Sequence, residues 1–382
     1  MHTRLLLAVA IATALSLPCV ATAQSASSEA RQLAELKAQL AALQSQVEAL
    51  EDRNGRSDAK PAAPKQEVTL PDTRISGTFF ADLTSLHQTS DGKRVGTSGA
   101  GLDVKRFYLS IDHGFNSVWS ANLTTDFNYV ANDGQTQVFV KKAYAQGAFS
   151  KLATLRIGSA NMAWIPTVED WYGYRFVENT VVDRMKFGNS ADWGLHLLGD
   201  KGGFGYQVSV VNGRGYKNPS RADQFDIEAR IGMQPIPGLL LAAGTYSGKL
   251  GNEEDTAPAL HRASRQDAMI AWNRDGLRVG GEWFRATNWG RINAPAGDRA
   301  SGWSLWSSYD LGLVAVFARH DRVDPSRQLD PSLEDSYSNI GMAFPLAKGL
   351  RVAVAYKNQR RRNHADIDTH VREIGAWGEL KW

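Results

Sequence analysis

Hydrophobic and polar residues alternate along most of the chain from Arg74 onward, in segments separated by turn residues. In the clearest segment, 119–129, Trp119 and Leu123 fall on one face while Asn122 and Asp126 fall on the other. Alternation with a period of two predicts β-strands with one apolar face. A segment of this length matches one tilted crossing of a lipid bilayer by a strand of a β-barrel.

The connections between the segments alternate between short and long. Short turns are expected at 112–117, 149–152, 200–203, 234–238, 273–276, 309–312 and 344–349. Longer polar loops are expected at 86–101, 130–136, 159–187, 212–223, 249–265, 286–300, 321–335 and 357–369. Eight loops and seven turns predict sixteen strands, with both ends of the chain on the short-turn side. This asymmetry is typical of outer-membrane barrels, whose closure leaves no exposed sheet edge.

The predicted fold is therefore all-β: a 16-stranded antiparallel transmembrane β-barrel over residues 73–382, preceded by a short N-terminal coiled-coil helix. The last segment, 371–382, alternates and ends on Trp382. A terminal aromatic residue resembles the C-terminal signature that outer-membrane barrels present to their assembly machinery.

Residues 1–23 predict a secretory signal peptide. Arg4 supplies a positive charge, an apolar run too short to span a bilayer follows, and Ala21-Thr22-Ala23 forms a cleavage site. The only cysteine, Cys19, lies in this segment. We therefore expect a mature chain without cysteine, which excludes disulfides, thiolate metal sites and a cysteine nucleophile.

The segment 24–52 has a helical period, and residues 53–72 are rich in proline and polar residues, which is typical of a linker. Spacings of three and four predict a coiled-coil helix, which we expect in the periplasm; one amphipathic helix packed on its own protein is the alternative. The apolar seam consists of Leu33, Leu36, Leu40, Leu43, Val47 and Leu50.

Composition agrees with a barrel and argues against a helical membrane protein. Mean hydropathy is −0.34, and no apolar run after the signal peptide is long enough for a spanning helix. Only helices and closed barrels satisfy every backbone polar group in lipid, so strands must make any crossing. The 43 basic and 40 acidic residues nearly balance, so net charge does not decide which solutes are favoured.

Basic residues fall on the face of the predicted strands that points into the lumen. A lumen lined by arginine and lysine lowers the electrostatic barrier for anions. Three acidic residues, Asp126, Glu228 and Glu282, share the inward parity, so a salt-bridged wall of a general porin is an equal alternative. The candidate pore-lining residues are Arg106, Lys142, Arg156, Arg230, Arg278 and Arg319 on strands, and Arg175 and Arg184 in the longest loop, the third.

Three stretches resemble the phosphate-selective porin O and P family, over most of residues 74–382. Residues 104–111 (VKRFYLSI) are similar to its basic second strand, 174–179 (YRFVEN) to an aromatic-plus-Glu motif of its third loop, and 206–213 (YQVSVVNG) to a strand ending in Asn-Gly. The resemblance implies a homotrimeric outer-membrane porin whose third loop folds into the lumen and sets the constriction.

Together, these patterns predict passive diffusion of small hydrophilic solutes across the outer membrane of a Gram-negative bacterium, with a preference for anions and phosphate as the leading candidate. A general or sugar-selective porin remains open, because the aromatic third loop is also suited to stacking on sugar rings. A cell-wall tether is a further alternative, and a barrel enzyme is disfavoured because no HExxH, GxSxG or glycine-rich phosphate loop occurs. The expected partners are membrane lipid and lipopolysaccharide; no cofactor, metal, catalytic residue or nucleic acid is expected.

Overall fold

The structure, a computed structural model, describes Ser45 and residues 72–96, 98–129, 136–252, 259–363 and 368–382. The chain divides into two units, Met1–Thr69 and Leu70–Trp382. The predicted signal peptide and coiled-coil helix, and the linker up to residue 71, lie outside the described residues, apart from Ser45. Within the described residues, no helix is both long enough and apolar enough to cross a membrane.

Sixteen antiparallel strands form one closed barrel, which confirms the predicted fold class and strand number. Each strand pairs with its neighbours in sequence, and the last strand pairs with the first, which closes the sheet. A two-residue strand, Lys93–Arg94, adds to the end of the first strand. The barrel strands are β1 (Thr73–Ser90), β2 (Gly99–Gly114), β3 (Trp119–Tyr129), β4 (Gln137–Ser150), β5 (Ala153–Asn161), β6 (Ala191–Lys201), β7 (Phe204–Val211), β8 (Asp226–Met233), β9 (Leu239–Gly248), β10 (Ala263–Arg274), β11 (Leu277–Thr287), β12 (Arg299–Asp310), β13 (Ala315–Asp324), β14 (Glu334–Ala347), β15 (Leu350–Arg362) and β16 (Asp368–Lys381).

Side chains alternate between the two faces of the wall as the sequence pattern predicts. On β3, Asn122 and Asp126 are buried on the inner face, while Trp119 and Leu123 are exposed on the outer face. Exposed apolar residues recur on the outer faces of the other strands, as in Leu195, Ile231, Ile270 and Ile340. The outer surface is therefore apolar and the inner surface largely polar, as strands between lipid and an aqueous lumen require.

Short turns and long loops lie at opposite ends of the barrel. The turn between β10 and β11 consists of Asp275 and Gly276, both with positive φ (54° and 77°), which is the geometry of a tight two-residue hairpin. The longest connection of the described residues is 162–190, between β5 and β6, and we call it loop 3. It contains two short helices, α1 (Ile165–Tyr172) and α2 (Val181–Arg184).

Loop 3 folds into the barrel and forms the hydrophobic core with the inner faces of the later strands. Trp164 is 0% exposed. Tyr174 stacks on Phe317 of β13 with ring centroids 4.4 Å apart, and Phe187 packs on Phe284 of β11 at 5.0 Å. Burial of each large apolar side chain contributes about 1.5–3 kcal/mol, so the interior wall and the loop stabilise each other.

We predict that Gly158→Ala lowers the folding yield. Gly158 has φ of 126°, and a Cβ atom there would lie 2.1 Å from the carbonyl oxygen of Ala143 on the adjacent strand. Both the backbone conformation and the clash oppose an alanine. The measurement is the folded fraction after refolding into detergent, by heat-dependent mobility on a gel. Gly96→Ala is the control, since nothing lies within 4 Å of its Cβ position; equal yields for the two variants would contradict the prediction.

Candidate functional site

A β-bulge in β2 turns two consecutive basic residues to the inner face. The pairing of β1 with β2 shifts register next to Phe80, so that Lys105 becomes the extra residue. Lys105 Nζ lies 3.1 Å from the carboxylate of Asp82, and Arg106 lies 3.8 Å from that of Asp126. Regular alternation would have sent one of the two basic side chains outward.

A second bulge does the same in β4. The pairing of β3 with β4 shifts register after Thr124, so that Lys141 is the extra residue beside Lys142. Lys141 donates a hydrogen bond of 3.0 Å to the hydroxyl of Tyr108 and lies 4.3 Å from the centre of its ring. Lys142 is paired with Thr124, which is an inner-face residue. The inward placement of Lys142 agrees with the alternation read from the sequence. That alternation would place Lys141 on the outer face, so the sequence did not predict its inward position.

Loop 3 adds Arg175 to this part of the wall. Its guanidinium lies 5.7 Å from the ring centres of both Phe80 and Tyr108. It is paired with Glu169 of α1. Tyr108 is therefore bordered by cations from β4 and from loop 3, and it follows Arg106 on the same face of β2.

A second loop also folds inward. Loop 4, residues 212–225 between β7 and β8, reaches across to β3, where the Tyr216 hydroxyl donates a 2.8 Å hydrogen bond to Asp126. The Lys217 ammonium lies 4.2 Å from the ring centre of Phe139. Asp192 holds the turn by accepting hydrogen bonds from the N–H groups of Gly213 and Gly215. Nothing in the alternation of the strands predicted this loop contribution.

These elements form one basic cluster. Three of its cations are paired with carboxylates, of Asp82, Asp126 and Glu169. The other three have no ion-pair partner in the part of the chain that the structure describes, and the carboxylates of Asp103, Glu178 and Glu373 border the same part of the lumen. The paired cations are Lys105, Arg106 and Arg175, and the others are Lys141, Lys142 and Lys217.

Two cavities lie on the two sides of this cluster. The cavity toward the long loops has a volume of about 350 Å³ and is bordered by Lys105, Arg106 and Arg175. The cavity toward the short turns has a volume of about 650 Å³ and is bordered by Asp112 and Arg156. The inner face of β2 runs from Arg106 to Asp112, so the basic cluster lies between the two cavities.

Arg156 borders the cavity on the short-turn side. Its Nε donates a 2.8 Å hydrogen bond to Gln146, and its guanidinium lies 5.0 Å from the ring centre of Tyr144. The predicted residues Arg106, Lys142, Arg156 and Arg175 therefore all lie along the same side of the lumen.

The other four predicted residues hold loop 3 against the wall. Arg230 donates to the carbonyl of Ala163 at 3.0 Å. Arg278 donates to those of Asp170 and Trp171 at 2.8 Å. Arg319 of the wall, 3% exposed, donates to the carbonyl oxygen of Asn179 in the loop at 2.6 Å. In the opposite direction, Arg184 of the loop pairs with Asp321 and Asp335 of the wall at 3.2 and 2.8 Å.

Three further cations with this role were missing from the sequence prediction. Arg265 donates to Phe187 O at 2.5 Å, Arg351 donates to Gly173 O at 2.6 Å, and Lys357 pairs with Glu178 at 3.2 Å. Two of them, Arg265 and Lys357, fell within stretches that the sequence assigned to loops. These strands continue beyond their last apolar outer-face residues. The alternation therefore gave no sign that Arg265 and Lys357 point into the lumen.

Carboxylates of the wall accept hydrogen bonds from loop 3 at Ala163–Trp164 and at Val181. Glu228 accepts hydrogen bonds from the N–H groups of Ala163 and Trp164, at 2.8 and 3.0 Å. Glu282 accepts from the Trp164 indole and from the Val181 N–H, at 3.2 and 3.3 Å. Buried backbone groups without such partners would cost free energy, so these acidic residues fix where the loop enters the lumen.

The charge of Glu178 in loop 3 is maintained by its neighbours. Burial by itself raises the pKa of this carboxyl, but Lys357, Lys105, Arg184 and Arg319 outweigh burial and lower the pKa to about 2. The ion pair of Glu178 with Lys357 therefore persists at any pH near neutrality.

Most aromatic residues of loop 3 are inaccessible to a solute. Trp164, Tyr172, Tyr174 and Phe176 are buried in the core, so they do not form the stacking surface that the sequence left open for a sugar channel. Within the described residues, no group of three or more His, Cys, Asp or Glu side chains could hold a metal ion.

Comparison with solved structures places this barrel among those of outer-membrane proteins. An anion-selective porin from Comamonas acidovorans is 10% identical, with a TM-score of 0.57 over 82% of this chain and 100% of that one. The outer-membrane channel DcaP of Acinetobacter baumannii is 10% identical, with a TM-score of 0.59 over 82% of this chain and 97% of that one. OmpT, an outer-membrane protein of Vibrio cholerae in its trimer form, is 10% identical, with 0.54 over 82% and 99%. No family model and no curated protein matches the sequence. At these identities the likeness shows a shared fold.

We predict that Arg265→Met destabilises the barrel and loosens loop 3. Arg265 is fully buried and pairs with Glu228 and Asp267 at 2.8 Å. Removing one partner of a buried ion pair leaves uncompensated charge, at a cost of about 3–5 kcal/mol. The measurement is thermal unfolding in detergent, with hydrogen exchange of residues 162–190.

Arg262→Met is the matched control for this prediction. Arg262 is exposed. Among the described residues, its side chain donates hydrogen bonds only to Ser247, at 2.7 Å, and to Gln224, at 3.2 Å. We expect a change below about 1 kcal/mol there. Similar losses for both variants would show that Arg265 does not anchor the loop.

Proposed function

We propose that the chain forms an outer-membrane channel for passive diffusion of small hydrophilic solutes, with a preference for anions and phosphate as the leading candidate. The observation that carries the proposal is the basic cluster, in which Lys141, Lys142 and Lys217 have no ion-pair partner among the described residues. In this proposal, a solute moves from one cavity to the other along the basic cluster.

The proposed mechanism follows from electrostatics at short range. A unit charge about 6 Å from an anion contributes roughly 1–3 kcal/mol at effective dielectric constants between that of water and 20. Arginine and lysine donors replace part of the hydration shell of the anion through charge-assisted hydrogen bonds. Since the donors belong to several elements, no single group holds the anion, and it is attracted without being bound tightly, as conduction requires.

Location and assembly belong to the same proposal. The apolar outer face and the separation of long loops from short turns favour an outer-membrane barrel with its long loops outside the cell. The likeness to outer-membrane proteins, one of them solved as a trimer, supports a homotrimer. The predicted coiled coil of residues 24–52 would then lie in the periplasm, on the side of the short turns.

A general porin is the second candidate, since three carboxylates pair with half of the cluster. If the carboxylates of Asp82, Asp126 and Glu169 screen the unpaired lysines as well as their own partners, selectivity for anions falls. The first test is therefore the reversal potential of the purified protein in a planar bilayer under a KCl gradient, followed by titration of the current with phosphate. Anion selectivity with saturable block supports the proposal; weak selectivity without block favours a general or sugar porin.

We predict that Arg106→Ser combined with Lys142→Ser shifts the reversal potential toward that of a non-selective pore. Phosphate block should weaken by about a hundredfold, since each of the two lost cations removes on the order of 1.4 kcal/mol of attraction. The control is Arg285→Ser, because Arg285 is exposed on the outer face of β11. An unchanged reversal potential in the double variant would refute the role of the cluster.

A further inference from the structure

The outer face of the barrel carries an apolar groove on β10, β11 and β12. Its volume is about 440 Å³, and exposed Ile270, Trp283 and Leu305, with half-buried Trp303, form its walls. Gly281 forms the floor; a Cβ atom there would lie 2.7 Å from Cδ2 of Leu305. The groove therefore exists because this outward position lacks a side chain.

A second cluster of arginines adjoins the groove toward the long-loop end. The strand register pairs Trp303 with Arg322, Arg322 with Ser336, and Ser336 with Arg360. Adjacent strands lie about 4.8 Å apart, so Arg322 and Arg360 are separated by about 10 Å along the backbone of this row. With Arg362, Ser336 and the carboxylates of Glu334 and Asp335, they border a cavity of about 190 Å³ on β13–β15.

The arginines of this outer cluster are available to a ligand. Arg322 pairs with Glu334 at 3.0 Å, but the side chains are 52% and 40% exposed. Arg360 pairs with Asp368 in a similarly exposed position. Exposed pairs contribute little to stability, and a guanidinium has five N–H donors, of which Arg360 uses Nε and one Nη for Asp368. A phosphate group has enough acceptor oxygens to bond the N–H donors that these carboxylates leave unused.

The position of this cluster on the wall selects a lipid as ligand. Ile340 and Met342 lie further from the long loops along β14 than Ser336 and are exposed on the outer face. Apolar outward residues mark the hydrocarbon layer, and arginines above them lie at the level of the headgroups. The groove and the cluster are therefore placed to receive an acyl chain and its phosphate from one molecule.

We propose that this surface binds lipopolysaccharide, with a lipid A phosphate on Arg322, Arg360 and Arg362 and an acyl chain in the groove at Gly281. The assignment rests on the proposed orientation, in which the long loops face the outside of the cell. Lipopolysaccharide carries both phosphates and several acyl chains, which matches three arginines beside one groove better than a single phosphodiester does.

The test titrates purified full-length protein in detergent with lipopolysaccharide and counts bound molecules by native mass spectrometry. Arg322→Ser combined with Arg360→Ser should weaken binding by about tenfold or more, since both substitutions remove charge-assisted hydrogen bonds to the phosphate. Ala268→Phe, which fills the groove from its edge, should weaken it as well. The control is Arg214→Ser combined with Arg221→Ser, two exposed arginines of loop 4, which should bind as the wild type does.

Wild-type affinity in both the arginine and the groove variants would overturn the proposal. Equal competition by phosphatidylglycerol micelles would also overturn it, in favour of general binding of anionic lipids. The reversal potential of the same variants should stay at the wild-type value, since these side chains face outward; a shifted value would contradict an outward site. Lipid binding and ion selectivity are thus measured separately, and either proposal can fail alone.

Discussion

Burial of loop 3 inside the barrel is the constraint on which the rest of the structure depends. A wall of sixteen strands encloses more space than its own side chains fill, and the inner faces of β11–β13 carry large apolar residues such as Phe284 and Phe317. The loop covers these residues with Trp164 and Tyr174. In return, side chains of the wall satisfy the backbone polar groups that the loop brings into the lumen.

This constraint divides the basic residues of the lumen between two roles. On the later strands, arginines such as Arg278 and Arg319 face the loop and donate hydrogen bonds to its carbonyl oxygens. On β2 and β4, where the loop leaves space, Arg106 and Lys142 border the lumen instead. Basic residues that face loop 3 thus hold the loop in place, whereas basic residues that face the open lumen create a positive field there.

Much of the fold followed from the sequence, because strands, turns and faces depend on local patterns. The alternation of 119–129 and the Asp275-Gly276 turn lie where the pattern predicted them. The site was less accessible: the extra residues Lys105 and Lys141 depend on bulges that no local pattern marks. The inward fold of loop 4 depends on Tyr216 meeting Asp126, a contact distant in sequence. Whether an inward arginine holds the loop or borders the lumen likewise depends on its non-local partner.

The bulges also set the linear charge density of the wall. In a regular strand, successive inward residues are separated by about 6.8 Å, twice the rise per residue. At Lys105-Arg106 and at Lys141-Lys142, neighbouring residues share the inner face, so positive charge is locally concentrated without loss of any lipid-facing residue. Under the proposed function, an ion in the lumen would meet a step in potential at this level rather than a uniform slope. Deletion of a single residue at a bulge would remove that step while leaving the barrel wall closed.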